Sequence, residues 1–243
     1  MNTESRPAFY ALAPGGWRDY VTLLHPPYTL WHLSYVAIGA ALAPHVDVER
    51  LLVALAAFFL AVGIGAHALD ELNGSPLGTR ISRGVLIGLA AGSIGAAVAI
   101  GVYASIAYTF WLGPLVAAGA FIVCAYNLEL FAGTFHSDVW FALAWGSFPL
   151  LAAYLAQAER ITVESLIAAA FAGFLSIAQR RLSTQVRTVR RRVATVSGAI
   201  GFRDGEQEAV TASTLTAAPE GALRALTLAV ATLAAALLVL RLK

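Results

Sequence analysis

The sequence predicts an all-α, multi-pass membrane protein of about seven transmembrane helices. Three observations predict it. Apolar residues make up 59% of the chain and charged residues only 12%, against the roughly 25% charge of an ordinary soluble domain. Mean hydropathy is +0.73. Long stretches carry no charge at all: between Val85 and Leu128 there is no Lys, Arg, Asp or Glu. These runs are rich in Ala, Leu and Gly and lack the alternation of outer-membrane strands, so they read as helices and not as a barrel.

A hydrocarbon core of about 30 Å takes roughly 20 apolar residues per helix. Seven runs meet that requirement, centred on residues 28–46, 51–69, 84–104, 108–128, 139–157, 163–179 and 222–240. The third and fourth are joined by a tight turn near Ser105. Residues 1–24 are expected to form a cytoplasmic or interfacial segment in which GWRDYVTLL lies flat on the membrane, with no cleavable secretory signal. Residues 25–181 then form the bundle of helices 1 to 6, 182–219 a basic cytoplasmic loop, and 220–243 the last span. In the loop, AIGFRDGEQEAVT predicts a small β-hairpin turning at Asp204 and Gly205. Gly84, Gly88 and Gly92 place a small residue at every fourth position of helix 3, a spacing that lets another helix approach closely, within the protomer or between protomers.

Orientation follows from the arginines. With the amino terminus cytoplasmic, eleven of them, from Arg6 and Arg18 through Arg80 and Arg83 to the cluster between Arg180 and Arg203, fall on one side. Arg50, Arg160, Arg241 and Lys243 fall opposite, and Arg224 lies within the last run. The positive-inside rule then puts the amino terminus in the cytoplasm of a cell-membrane protein and the carboxyl terminus across the bilayer. The single cysteine, Cys124, excludes a disulfide, an iron-sulfur cluster or a thiolate zinc site within one chain. Basic residues abutting a membrane, with no recognised nucleic-acid module, exclude a nucleic-acid partner. No mid-membrane charge or inverted repeat points to a transporter.

Candidate chemistry gathers at the cytoplasmic helix ends. HALDELNGSPLGTR closes helix 2 and sets His67, Asp70, Glu71 and Gly74 on one side by helical spacing, with Asn73 a turn beyond Asp70. Hard donors of this kind suit Mg²⁺, so Asp70, Glu71 and Asn73 are the candidate metal ligands. Thr79 and Arg80 follow and offer hydrogen bonds to phosphate. Helix 4 ends in Tyr126 and Asn127, where an aromatic face suits a developing carbocation as well as it suits an interfacial anchor. Arg180, Arg181, Arg187 and Arg191 belong to a run of six arginines between 180 and 192. Such a run either binds a phosphate-bearing substrate or pins the loop to anionic lipid.

Three stretches together resemble the UbiA superfamily of intramembrane prenyltransferases: HPPYTLWHLSYVAIGAALA, GAHALDELNGSPLGTRIS and AYNLELFAGTFHSDVWFALAWGSFPLLAAYLAQ, covering roughly residues 20 to 180. The resemblance implies an all-helical bundle that binds a prenyl diphosphate through Mg²⁺ and moves the prenyl group to a lipophilic acceptor. On that likeness Asp70 matches the centre of the family's first acidic motif, with Ala66 and Gly74 in the flanking places. QRRLST stands where its second aspartate pair falls, and His25 takes the place of the basic residue before its first span. The resemblance implies catalytic roles for Asp70, Tyr126 and Asn127, with His67, Thr79, Arg80, Arg180, Arg181, Arg187 and Arg191 binding substrate. The missing second motif leaves open a catalytically silent relative that binds an isoprenoid or anionic lipid as scaffold or partner. Prenyl chain length, acceptor and oligomeric state are not legible in the sequence.

Overall fold

The computed structural model describes residues 6–243. Among them the helices, in chain order, are α1 (Trp17–Leu23), α2 (Pro26–Leu42), α3 (Val48–Leu72), α4 (Arg83–Ala107), α5 (Leu112–Asn127), α6 (Asp138–Ala158), α7 (Val163–Arg192) and α8 (Ala212–Arg241). The strands β1 (Ala199–Gly201) and β2 (Gln207–Ala209) lie between α7 and α8.

Five helices, α3, α4, α6, α7 and α8, are long and apolar enough to cross a membrane. The other two of the expected seven are shorter: α5 has 16 residues and α2 has 17. At 1.5 Å per residue these reach about 24–26 Å, short of the hydrocarbon core. The chain around them still turns outward large apolar side chains, among them Ile106, Phe171, Phe174, Leu228 and Val239, as a lipid-facing surface requires.

Two apolar clusters hold the bundle. In one, Trp31, Tyr35, Ile38, Leu150, Ala172 and Val230 join α2, α6, α7 and α8. In the other, Val62, Leu69, Leu86, Ile122, Val123, Tyr126 and Trp145 join α3, α4, α5 and α6. Close approach rests on single glycines. A Cβ on Gly39 would sit 2.1 Å from the Leu150 carbonyl oxygen, and one on Gly146 would sit 2.6 Å from that of Ala172, so only glycine lets α2 and α7 reach α6. The Gly84, Gly88 and Gly92 face is different: a Cβ at any of them meets nothing within 4 Å, and all three lie on the exposed side of α4.

The largest correction concerns the basic loop. α7 does not end near residue 181 but runs 30 residues to Arg192, and α8 starts at Ala212 and not at 220. Both open with a capping box, Thr162 with Ser165 and Thr211 with Thr214, and no proline interrupts α7. A polar stretch with good helix formers and no breaker continues a helix beyond the bilayer: 30 residues make about 45 Å. α8 tolerates Pro219 in its second turn because a neighbour supplies the missing donor: Gln185 of α7 donates from Nε2 to the Leu215 carbonyl, 3.2 Å, the acceptor that a residue other than proline at 219 would use. Between the helices the expected hairpin forms, with Ile200 opposite Glu208 and Gly205 at φ 94° in its turn. α3 and α6 each contain a wide π-helical stretch, Phe59–Ala66 and Ala142–Ser147, of the kind that accompanies functional sites.

Candidate functional site

At one end of the bundle the starts of α2 and α6, the ends of α3 and α5, the outer half of α7 and residues 7–10 enclose a cavity of about 90 Å³. It has room for several waters and hence for a phosphate-sized group. Its wall brings together seven of the expected residues: His67, Asp70, Tyr126, Asn127, Arg180, Arg187 and Arg191. The acidic tip of α3 and the basic stripe of α7 therefore share one chamber. The opposite end of the bundle carries contacts of its own, including the Arg50–Glu159 ion pair at 2.8 Å and Arg241 donating to the Ala41 carbonyl at 2.9 Å, beside an apolar cavity of about 120 Å³ between α3, α4, α5 and α6.

The remaining expected residues lie elsewhere. Glu71 is 2% exposed and points away from the cavity. Its carboxylate accepts from Leu77 N–H (2.9 Å), Thr79 N–H (2.8 Å) and the Thr79 hydroxyl (2.9 Å), which ties the turn after α3 to the helix and uses the Thr79 hydroxyl as well. Asn73 donates from Nδ2 to the Asn127 carbonyl, 3.1 Å. Arg80 is exposed, and its backbone N–H binds Asp19 at 3.0 Å. Arg181 points outward, its side chain 76% exposed. For Glu71 the reason lies in its partners: the donors of Leu77 and Thr79 hold its carboxylate in the turn after α3, while Asp70, with no such partner, faces the cavity. Among the described residues no three His, Cys, Asp or Glu side chains converge as a metal site. The Asp70, Glu71 and Asn73 set does not fit Mg²⁺.

Four imidazoles line the wall: His25, His32, His67 and His136. His67 lies at 3.1 Å from the Gly63 carbonyl through Nδ1, and His32 lies at 2.8 Å from the Trp145 carbonyl through Nδ1. A ring nitrogen facing a carbonyl carries the proton, so each presents Nε2 as an acceptor. The His25 ring stacks on that of His67, centroids 4.1 Å apart, and its Nδ1 meets the Tyr10 hydroxyl at 2.8 Å. Its backbone is left-handed, φ 47°, a conformation that costs an L residue about 1 kcal/mol. Burial, then the neighbouring His67, Arg191 and Arg187, hold His25 well below the ordinary histidine range. Burial likewise pushes the Tyr10 phenol well above its usual value.

Aromatic contacts surround Tyr126. His136 stacks on its ring at 4.5 Å and Trp145 lies at 4.3 Å. Arg180 donates to its hydroxyl, sits over the rings of Tyr126 and Phe141 at 5.7 and 5.4 Å, and is paired with Asp138 at 2.7 Å. A guanidinium thus already occupies the position expected for a carbocation.

Sequence reasoning missed Tyr10, Tyr28, His32, Gln179 and Ser183 as lining residues. A signal was present: Gln179, Ser183, Arg187 and Arg191 recur every fourth residue, one stripe along a helix. Ending the helix near 181 hid it.

No family model, curated protein or solved structure matches the chain. The fold and cavity define the class on their own terms: a mostly helical protein with membrane-length helices, one small β-hairpin and a guanidinium-lined polar chamber at one end.

Proposed function

We propose that the protein is a UbiA-like intramembrane prenyltransferase that receives an isoprenoid diphosphate from the membrane and passes its prenyl group to a lipophilic acceptor. The seven-pass bundle and a cytoplasmic position for the cavity belong to the same reading. One observation carries it: Asp70, Asn127, Arg187 and Arg191, from three separate helices, line a single chamber at the end of an apolar bundle.

In this reaction the bond between the allylic carbon and the diphosphate oxygen breaks, and the electron pair leaves with pyrophosphate. Arg187 and Arg191 meet the charge that grows on the leaving oxygens. The carbon bonds to the acceptor's nucleophilic atom, whose proton passes to Asp70. That carboxylate makes no hydrogen bond or ion pair among the described residues and shares the wall with Arg187 and Arg191. His67 and Asn127 position the substrate at the same wall.

A second reading, a catalytically silent relative that binds an isoprenoid or anionic lipid, is favoured by the crowding of Tyr126, whose ring is already engaged by His136, Trp145 and Arg180. The two readings separate in one assay. Purified protein in nanodiscs is given radiolabelled geranylgeranyl diphosphate and a membrane lipid extract as the source of acceptors. Release of pyrophosphate with label appearing in a new lipid, abolished by Asp70→Asn, supports the transferase. Saturable binding without release supports the silent relative, and no binding removes both.

A further inference from the structure

We propose that this cavity holds the phosphate end of its ligand through side chains of the chain itself, without a divalent cation. The inference rests on the phosphate-lipid reading above and adds to it the manner of recognition.

Four observations converge. First, the carboxylates that a metal would need are not there: Glu71 is committed to Leu77 and Thr79, leaving Asp70 as the one carboxylate on the wall. Second, the α7 stripe Gln179, Ser183, Arg187 and Arg191 lines the chamber, changing from neutral side chains in the middle of α7 to guanidinium groups toward its C-terminal end. Third, two buried wall atoms lack partners among the described residues: the side-chain oxygen of Gln179, a residue 2% exposed, and Nε2 of His25, a residue 7% exposed. A buried polar atom left unsatisfied costs about 1–3 kcal/mol, so both are built for something that enters. The Gln179 amide turns over to offer its N–H₂. His25 offers Nε2–H when the Tyr10 hydroxyl donates to Nδ1. Fourth, the wall is net positive, the sign an anion needs. Arg180 is neutralised by Asp138, and the remaining Arg187 and Arg191 outweigh Asp70 by one positive charge.

Guanidinium groups contact phosphate oxygens in pairs and lose little on desolvation compared with an ammonium. Two of them with two neutral donors satisfy the terminal oxygens of a phosphate ester or diphosphate. Arg187 is the cleanest probe, because its hydrogen bond to Thr184, 3.0 Å, lies within its own helix.

The test is equilibrium binding to the full chain in phosphatidylcholine nanodiscs, with geranylgeranyl diphosphate, inorganic pyrophosphate and nanodiscs doped with phosphatidylglycerol as three arms. Each is measured with excess EDTA and with added Mg²⁺. The inference expects EDTA to change the affinity for geranylgeranyl diphosphate by less than about twofold, Arg187→Gln to weaken it at least tenfold, roughly the loss of one charge-assisted hydrogen bond, and Gln179→Leu to weaken it severalfold. Melting curves of both variants that match the native protein exclude misfolding. Binding that vanishes in EDTA and returns with Mg²⁺ overturns the inference and leaves the isoprenoid reading standing. Metal-independent binding in which pyrophosphate or phosphatidylglycerol competes as well as the isoprenoid diphosphate upholds the inference and overturns that reading. Binding of no probe, or binding unchanged by Arg187→Gln, also overturns the inference.

Discussion

Glu71 and Thr79 are joined twice, the carboxylate accepting from both the backbone N–H (2.8 Å) and the hydroxyl (2.9 Å) of the threonine. This pairing fixes the turn that ends α3 and decides that Asp70, and not its neighbour, looks into the cavity. Glu71→Ala strands three donors, the buried Leu77 N–H and the half-buried N–H and hydroxyl of Thr79. The expected loss is on the order of 2–4 kcal/mol, read as a lower melting temperature in detergent. Thr79→Val, removing one of the three bonds, is expected to cost about 1 kcal/mol. An unchanged melting temperature for Glu71→Ala would remove the structural role.

Arg190 and Glu220 tie the outer half of α7 to α8 at 2.5 Å, with side chains only 12% and 10% exposed. Arg190 also donates to the Arg6 carbonyl at 3.2 Å and Arg191 to that of Pro7 at 3.1 Å, so the same arginines strap the N-terminal segment over the chamber. Breaking a buried pair by removing one partner costs about 3–5 kcal/mol. Glu220→Ala is expected to lower stability by that order and to speed proteolysis near Pro7. A double variant, Arg190→Leu with Glu220→Leu, is expected to recover most of the loss in a double-mutant cycle.

His25 predicts a pH dependence. Its folded-state pKa is lowered by burial and by His67, Arg191 and Arg187, so the unfolded chain binds more protons and stability rises with pH. Above about pH 6.5 both states are neutral and the contribution vanishes. Below it the unfolded imidazole takes a proton that the folded one refuses, and stability falls toward pH 5. The melting temperature of His25→Asn is expected to fall less steeply over this window than that of the native protein. Equal slopes would exclude His25 as a source.

Gly39 has no room for a side chain, since its Cβ would lie 2.1 Å from a backbone oxygen of α6. Gly39→Val is expected to prevent folding, because backbone cannot give way as a side chain does. Gly88→Ala, where a Cβ meets nothing, is expected to leave the monomer intact and gain slightly in helix propensity. Expression and size-exclusion profiles distinguish the two.

Gln185 and Leu215 offer a further test. Gln185→Leu leaves the Leu215 carbonyl without the donor that Pro219 cannot supply, an expected cost of about 1 kcal/mol. Pro219→Ala restores the helix's own bond, so the double variant is expected to regain that amount. A thermal-melt cycle measures the coupling.

The sequence by itself determined the membrane-length apolar helices, the gathering of charge at helix ends and the hairpin at Asp204 and Gly205. Each follows from composition or short-range pattern: apolar length against bilayer thickness, and turn residues whose backbone freedom is local. It also placed Asp70, Asn127, Arg187 and Arg191 as candidates, because isolated charge beside long apolar runs stands out. Only the tertiary structure decided that Glu71 turns to Thr79, that Tyr126 is covered by Arg180 and its aromatic neighbours, and that α7 stays helical to Arg192. Those outcomes depend on side-chain contacts made only in the folded chain, Glu71 with Thr79, Arg180 with Tyr126 and Arg190 with Glu220, which hydropathy along a sequence does not record.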